Sequence, residues 1–233
     1  MKRHLAVGTF ALLLGALLTA QSAPADDVKS AVAKLADNYS WKTTTEIGGD
    51  QGFTMVSEGK TAKGISWLSR TAQDMTIEAY LSGTNKGAIK TPEGWRTLAE
   101  AAEDDGGGFN PIMFTSRILQ QFRSPATEAA ELAGQTEFKT DGDAVGGGLT
   151  EAAVKKLLTF RLPGRKEPKI SDDKGSAKFW VKDGRLAKYQ FTVSGKLTVD
   201  DEERDVNHTV TVEFKDVGTT KVEVPDEVKK KLQ

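Results

Sequence analysis

The chain has two histidines, His4 and His208, and no cysteine. His4 falls in the basic start of a leader, which leaves His208 as the imidazole available to a folded core. His208 shares a strand face with Val206, Val210 and Val212. That company points to a histidine within or at the edge of the core rather than a general base. No second histidine is at hand for a metal cage. A Ser-His-Asp triad would have to use His208, and no Gly-x-Ser-x-Gly elbow is present. Without cysteine there are no disulfides, zinc-thiolate sites or thiol nucleophiles. The acids gather at Asp104-Asp105, Asp141/Asp143, Asp172-Asp173 and Asp200-Asp201-Glu202-Glu203. All flank glycines or hairpin turns, where solvated carboxylates are the rule. None matches the Asp-x-Asp-x-Asp-Gly calcium loop with its later Glu. A glycosidase-type carboxylate pair is visible only in three dimensions, so a carboxylate hydrolase stays open at this level. Gly106–Gly108 and Gly146–Gly148 precede helices as phosphate loops do. Neither carries the Gly-Lys-Ser/Thr ending or follows a fully apolar strand, so both read as hinges or turns. No enzyme activity, metal or cofactor is expected.

The apolar residues are more informative. Trp67, Ile77, Leu81, Tyr189, Phe191 and Val193 lie on strand faces that something must cover. A helix carrying Ile112, Met113, Ile118, Leu119 and Phe122 is the obvious lid. Two packings are compatible with this inventory. One is a dry, filled core. The other is a cavity between sheet and lid that admits acyl chains. In the second case the lining comprises Trp67, Ile77, Leu81, Met113, Ile118, Phe122, Tyr189, Phe191 and Val193.

Several elements must position these residues. Val28, Ala31, Val32 and Leu35 fall at i, i+3, i+4, i+7 and predict a helix over Asp27–Tyr39, with Asp26 or Asp27 at its start. From Tyr39 the period becomes two. Tyr39–Ile47, Phe53 and Met55, Ile65 and Trp67, and Met75 to Leu81 predict an antiparallel meander. Ala88-Ile89 and Trp95–Leu98 add two short strands. Asn110-Pro111 and Ser124-Pro125 each combine a cap with proline at the first helical position, and open two helices. Thr136–Thr140 is a strand, Gly146–Gly148 a break, and Thr150 caps a helix over Glu151–Leu158. Phe160 to Gly175 reads as loop. Lys178–Lys182 and Leu186–Val199 flank Asp183-Gly184, a strong hairpin signal. Val206 to Phe214 returns, Val222 and Val224 close the sheet, and Asp226 to Leu232 forms a last helix. The fold class is α+β: a strongly curved antiparallel sheet, an incomplete β-barrel, covered by a few helices.

The N-terminus names a compartment. Met1-Lys2-Arg3-His4 is basic, Leu5–Ala20 is apolar, and small residues follow through Ala25. This is the pattern of a cleaved secretory signal peptide over residues 1–25. Its apolar core is shorter than the ~20 residues of a spanning helix. Cleavage falls after Ser22 or after Ala25, and no Cys follows for lipoprotein processing. Residues 26–233 are then expected to form one domain, periplasmic or secreted. Lys2 and Arg3 leave with the leader, so 32 basic residues become 30 against 33 acidic ones, a net charge of −3. No clustered basic excess marks a nucleic-acid partner.

Phe179-Trp180-Val181-Lys182-Asp183-Gly184-Arg185-Leu186-Ala187-Lys188-Tyr189 resembles the hairpin of the bacterial lipoprotein-carrier (LolA-like) superfamily. Val210-Thr211-Val212-Glu213-Phe214-Lys215-Asp216-Val217-Gly218, followed by Val222-Glu223-Val224-Pro225, resembles its ending. The motif likeness covers Phe179–Pro225, and the order of elements is similar over most of the chain. The resemblance implies a half-barrel closed by helices around an apolar interior. It implies a protein that holds a lipid or a lipidated protein outside the inner membrane, or senses envelope state; separately, the chain is expected to act as a monomer. The expectation is therefore a soluble exported carrier with an apolar cavity under a helical lid. The rival is an envelope interaction or sensing module with a filled core, whose partner is another protein.

Overall fold

The computed structural model describes residues 24–48, 52–72, 75–83, 85–103, 110–141, 143–159 and 168–233. The leader up to residue 23 and the glycine run at 106–108 lie outside the described residues. So do residues 160–167 of the segment read as loop from Phe160 to Gly175.

A short helix, α1 (Pro24–Ala33), leads into six strands in sequence order: β1 (Asn38–Ile47), β2 (Phe53–Ala62), β3 (Ile65–Ala72), β4 (Met75–Ser82), β5 (Gly87–Thr91) and β6 (Gly94–Thr97). Helices α2 (Leu98–Ala102), α3 (Pro111–Leu119) and α4 (Pro125–Gly134) follow. Then come β7 (Thr136–Asp141), β8 (Ala144–Leu149), α5 (Glu151–Leu158), β9 (Lys169–Lys182), β10 (Arg185–Val199), β11 (Glu202–Lys215) and α6 (Asp226–Lys231). The strands form one antiparallel sheet in the order β6-β5-β4-β3-β2-β1-β11-β10-β9-β8-β7. Two meanders are thus joined where β1 pairs with β11, Trp41 opposite Phe214. The sheet curves without closing into a barrel, because β6 and β7 remain its edges. This is the α+β, incomplete-barrel class that the alternation and the few helices predict.

Period two explains the buried face. Tyr189, Phe191 and Val193 on β10 point inward together with Val212 and Phe214 on β11. Val28, Ala31 and Val32 of α1 bury their face in the same core, as their spacing requires. A run of aromatic rings ties the layer together. Tyr39 meets Phe214 edge-on at 5.3 Å, Phe214 meets Tyr189 at 5.9 Å, and Tyr189 meets Phe179 at 6.4 Å. Such offset pairs add to area burial.

The helix starts fall where the cap-plus-proline signals place them. Asn110 Oδ1 accepts from the amides of Ile112 (2.9 Å) and Met113 (3.2 Å). Ser124 caps α4 and Thr150 caps α5. Six expectations change. The first helix ends at Ala33 rather than Tyr39, because the chain turns through Ala36 at φ 45° and Tyr39 already belongs to β1. Asp26 and Asp27 lie in its first turn, not ahead of it. The segment after Thr97 contains a helix, α2, with a reciprocal capping box between Thr97 and Glu100. The Thr97 amide, Lys231 and the Thr97 hydroxyl hold the Glu100 carboxyl down to about 2.

Gly146–Gly148 is strand rather than break, and glycine is what lets β8 fit. A Cβ at Gly146 would strike the Ala177 carbonyl of β9. Finally, Val222 and Val224 do not extend the sheet. They cross its convex face with Val228 and Leu232, and pack on Tyr80, Ala88, Trp67 and Trp95. The Tyr80 hydroxyl donates to the Glu223 carbonyl at 3.0 Å and pins this segment. The strand β9 also starts earlier than the Lys178 of the sequence pattern, at Lys169.

Candidate functional site

The concave face is not filled. A cleft of about 1250 Å³ lies between the sheet and the helices. This is above the ~300–1,000 Å³ range usual for small-ligand sites. Its floor follows from strand parity: Trp41, Thr43, Thr45 and Ile47 alternate along β1 and face one way. Phe53 and Met55 of β2, Tyr189 and Phe191 of β10, and His208 and Val210 of β11 continue that face. Between Trp41 and Ile47 the inward positions carry threonine. Short side chains in the middle of an otherwise bulky face leave the space open.

The other wall is helical. Phe114, Ile118 and Leu119 of α3, Phe122 in the α3–α4 connection, and Pro125 and Glu128 of α4 line it. Leu157 of α5 closes one side. Trp41 and Phe122 stack across the cleft at 6.5 Å and 28° and join floor to wall. Tyr39 anchors α4 from below, its hydroxyl accepting from the Ala126 amide at 3.2 Å. Phe53 stands at the cleft with 53% of its surface exposed, an apolar ring facing water.

Polar groups are few and placed apart. The Tyr189 hydroxyl donates to Glu128 Oε2 at 2.5 Å. Burial pushes the Glu128 carboxyl above its usual value of 4.5, against the opposing pulls of the Tyr189 hydrogen bond and Arg123. Burial and then the neighbouring Glu128 raise Tyr189 well above an ordinary phenol. His208 is held below 6.5 by burial, with a hydrogen bond to the Leu157 backbone acting the other way. At the rim Arg123 and Lys156 both reach Glu131, Lys156 at 3.0 Å, and Lys155 pairs with Glu151. Among the described residues no group of three His, Asp or Glu is arranged to hold a metal ion.

The Glu128 shift has a testable consequence. A carboxyl raised in the folded state binds its proton more tightly there than in the unfolded chain. Its ionisation as pH climbs past about 4.5 therefore costs folding stability. Glu128→Gln keeps an acceptor for Tyr189 and removes the charge. The variant should be more stable than wild type at pH 7 and indistinguishable at pH 4, read from urea midpoints. A variant less stable at pH 7 would contradict the buried-carboxyl assignment.

Of the nine residues that the sequence offers as a lining, Ile118, Phe122, Tyr189 and Phe191 meet at this cleft. Ile77, Leu81 and Val193 lie in the packed core instead. Leu81 sits near Leu98 of α2, and Val193 near Val154 of α5. Met113 is half-buried on α3 but outside the cleft lining. Trp67 lies on the opposite, convex face, where it lines a separate groove of about 520 Å³ with Lys60, Tyr80 and Val222. The physical reason is register. Trp67 pairs with Tyr80 and Arg70 with Ile77, which sets Trp67 on the other face from Ile77 and Leu81. Sequence reasoning missed Thr43, Thr45, Arg70, Glu128 and His208 as lining groups. The threonines carried a signal, as small residues on the inward parity of β1.

Among the described residues no helix is long and apolar enough to cross a membrane. No family model matches the chain, and no curated protein does. Among solved structures it is similar to a LolA superfamily protein, NE2245, from Nitrosomonas europaea. There the identity is 9%, the TM-score 0.33, and 88% of this chain and 97% of that one are covered. It is also similar to a DUF1329 family protein from Desulfovibrio piger, at 10% identity and a TM-score of 0.30, covering 85% of this chain and 96% of that one. Likenesses at this level carry no argument about activity, which must come from the cleft itself.

Proposed function

We propose that the protein is a soluble exported carrier that holds a lipid, or the acyl part of a lipidated protein, in the cleft between its curved sheet and the α3–α4 helices. The observation that carries this reading is the cleft of about 1250 Å³ walled by Trp41, Ile118, Phe122, Phe191 and Val210. An apolar surface of that extent facing water is unfavourable at ~25 cal/mol per Å². An acyl chain relieves it without any bond being made or broken. The signal-peptide pattern at the N-terminus supports a site of action outside the inner membrane, in the periplasm or beyond. Residues 26–233 act as one unit, a monomer, with the α3–α4 helices as the part that moves for loading and release.

The test is native mass spectrometry of the protein exported through its own leader and purified without detergent. A stoichiometric co-purified lipid, or uptake of added fatty acid or phospholipid at one or two per chain, is the expected result. A clean apo mass with no uptake overturns the carrier reading in favour of an envelope interaction module.

A further inference from the structure

The charged groups around the cleft are unequal. Among the described residues four cations line it, Arg70, Arg123, Lys155 and Lys156, against one acid, Glu128. Three of the cations are already answered by carboxylates at the rim: Arg123 and Lys156 by Glu131, and Lys155 by Glu151. Arg70 is different. It projects from β3, in register with Ser57 on one side and Ile77 on the other. Among the described residues its one polar contact is the Met55 sulfur. A thioether is a weak acceptor and carries no charge. Burial also draws the guanidinium below its ordinary value. Glu128, the one carboxyl among the described lining residues, already accepts from the Tyr189 hydroxyl, and burial raises it above its ordinary value.

A half-buried guanidinium without an anion is costly, and its donors form a fork that fits a carboxylate or a phosphate. We infer that Arg70 is the headgroup anchor of the cleft, so that the bound amphiphile carries an anionic oxygen group, carboxylate or phosphate, beside its acyl chain. This rests on the carrier reading above and narrows it to a class of ligand. The apolar wall formed by Ile118, Phe122 and Phe191 takes the chain. Arg70 takes the charge and sets the orientation in which the chain enters. Lysine would supply the charge but not the fork.

Trp41 lines the cleft, so its fluorescence reports occupancy. Delipidated protein is titrated with palmitate, with palmitoyl lysophosphatidic acid, and with neutral 1-palmitoylglycerol. Wild type should bind at least one of the two anions about tenfold tighter than the neutral lipid, as expected for a charge-assisted pair. Arg70→Gln should erase that preference, while Arg70→Lys retains part of it. Unchanged far-ultraviolet circular dichroism and binding of the neutral probe establish that each variant folds. Equal wild-type affinity for anions and neutral lipid, or an anion preference that survives Arg70→Gln, overturns the anchor and leaves the cleft as an acyl site. Failure of all three probes to bind wild type overturns the carrier reading and the anchor together. The ranking of palmitate against the lysophosphatidic acid tells which anion the fork prefers.

Discussion

Phe191→Glu abolishes acyl-chain uptake in a protein that still folds. Phe191 is 4% exposed and forms part of the cleft floor between Ala177 of β9 and Val210 of β11. A carboxylate there still finds water while the cleft is empty. A seated chain would strip that water away, and the effective penalty of burying an ion is several kcal/mol. At about 1.4 kcal/mol per decade, affinity should drop by more than a hundredfold. The substitution also gives up ring packing worth about 3–5 kcal/mol at a fully enclosed site. Ile118→Glu is the companion, because Ile118 is half-buried on α3 and faces the same cleft from the helical side. Its cost to folding is smaller, and the loss of uptake should be similar. Both variants are read by palmitate titration alongside a thermal melt. Undiminished binding in a folded Ile118→Glu would remove α3 from the site.

Gly59→Ala lowers folding stability although it adds only one methyl group. Trp41 lies opposite Gly59 in the β1–β2 register, and its ring occupies the space where a side chain would stand. An added Cβ would run into the indole and come within 2.7 Å of the Trp67 carbonyl oxygen. Overpacking of this kind costs about 1–3 kcal/mol, and more when backbone atoms are involved. A melting temperature lower by about 2–12 °C follows for a chain of this size. The damage spreads to function, because Trp41 stacks on Phe122 and so seats the α3–α4 connection. Trp41→Phe removes the ring atoms that the new methyl would meet. The cost of Gly59→Ala should therefore shrink in that background, giving a measurable coupling energy. Among the described residues the buried Trp41 indole nitrogen has no hydrogen-bond partner, so Phe sacrifices no polar contact with them. Equal costs in both backgrounds would mean that the indole is not against Gly59.

The local rules of the sequence carried the fold a long way. Alternation in Tyr189, Phe191 and Val193, the Asp183-Gly184 turn and the Asn110-Pro111 and Ser124-Pro125 caps each concern neighbours in the chain. Each was legible for that reason. The turn glycine and aspartate adopt the left-handed region, φ 68° and 52°, as such a dipeptide prefers. What was not legible depends on pairing between distant strands. Trp67 and Ile77 both alternate within their own strands, yet the β3–β4 register sends them to opposite faces. A one-residue change of register reverses a whole face, and nothing local to either strand fixes it.

The glycines of β8 misled for a related reason. Glycine signals a turn when only the chain is considered. Here it answers the close approach of the β9 backbone, which the chain alone does not reveal. Val222 and Val224 look like strand residues because they are apolar and alternate. They serve instead as cover for a second apolar face, the convex one, whose need for cover is visible only once the sheet is assembled. The cleft was the hardest feature to foresee. It exists because Thr43 and Thr45 are short where their neighbours are bulky, and because Arg70 and Glu128 bring charge into an apolar space. Composition cannot report a void, since the same residues in another register would fill it.

The most direct test of the acyl-cleft account is photo-crosslinking with a palmitate that carries a diazirine on its chain, followed by peptide mapping. Adducts within residues 114–125 and 189–191, competed away by unlabelled palmitate, are the predicted result. Adducts confined to the convex groove around Trp67 and Val222, or none that palmitate competes for, would contradict the account.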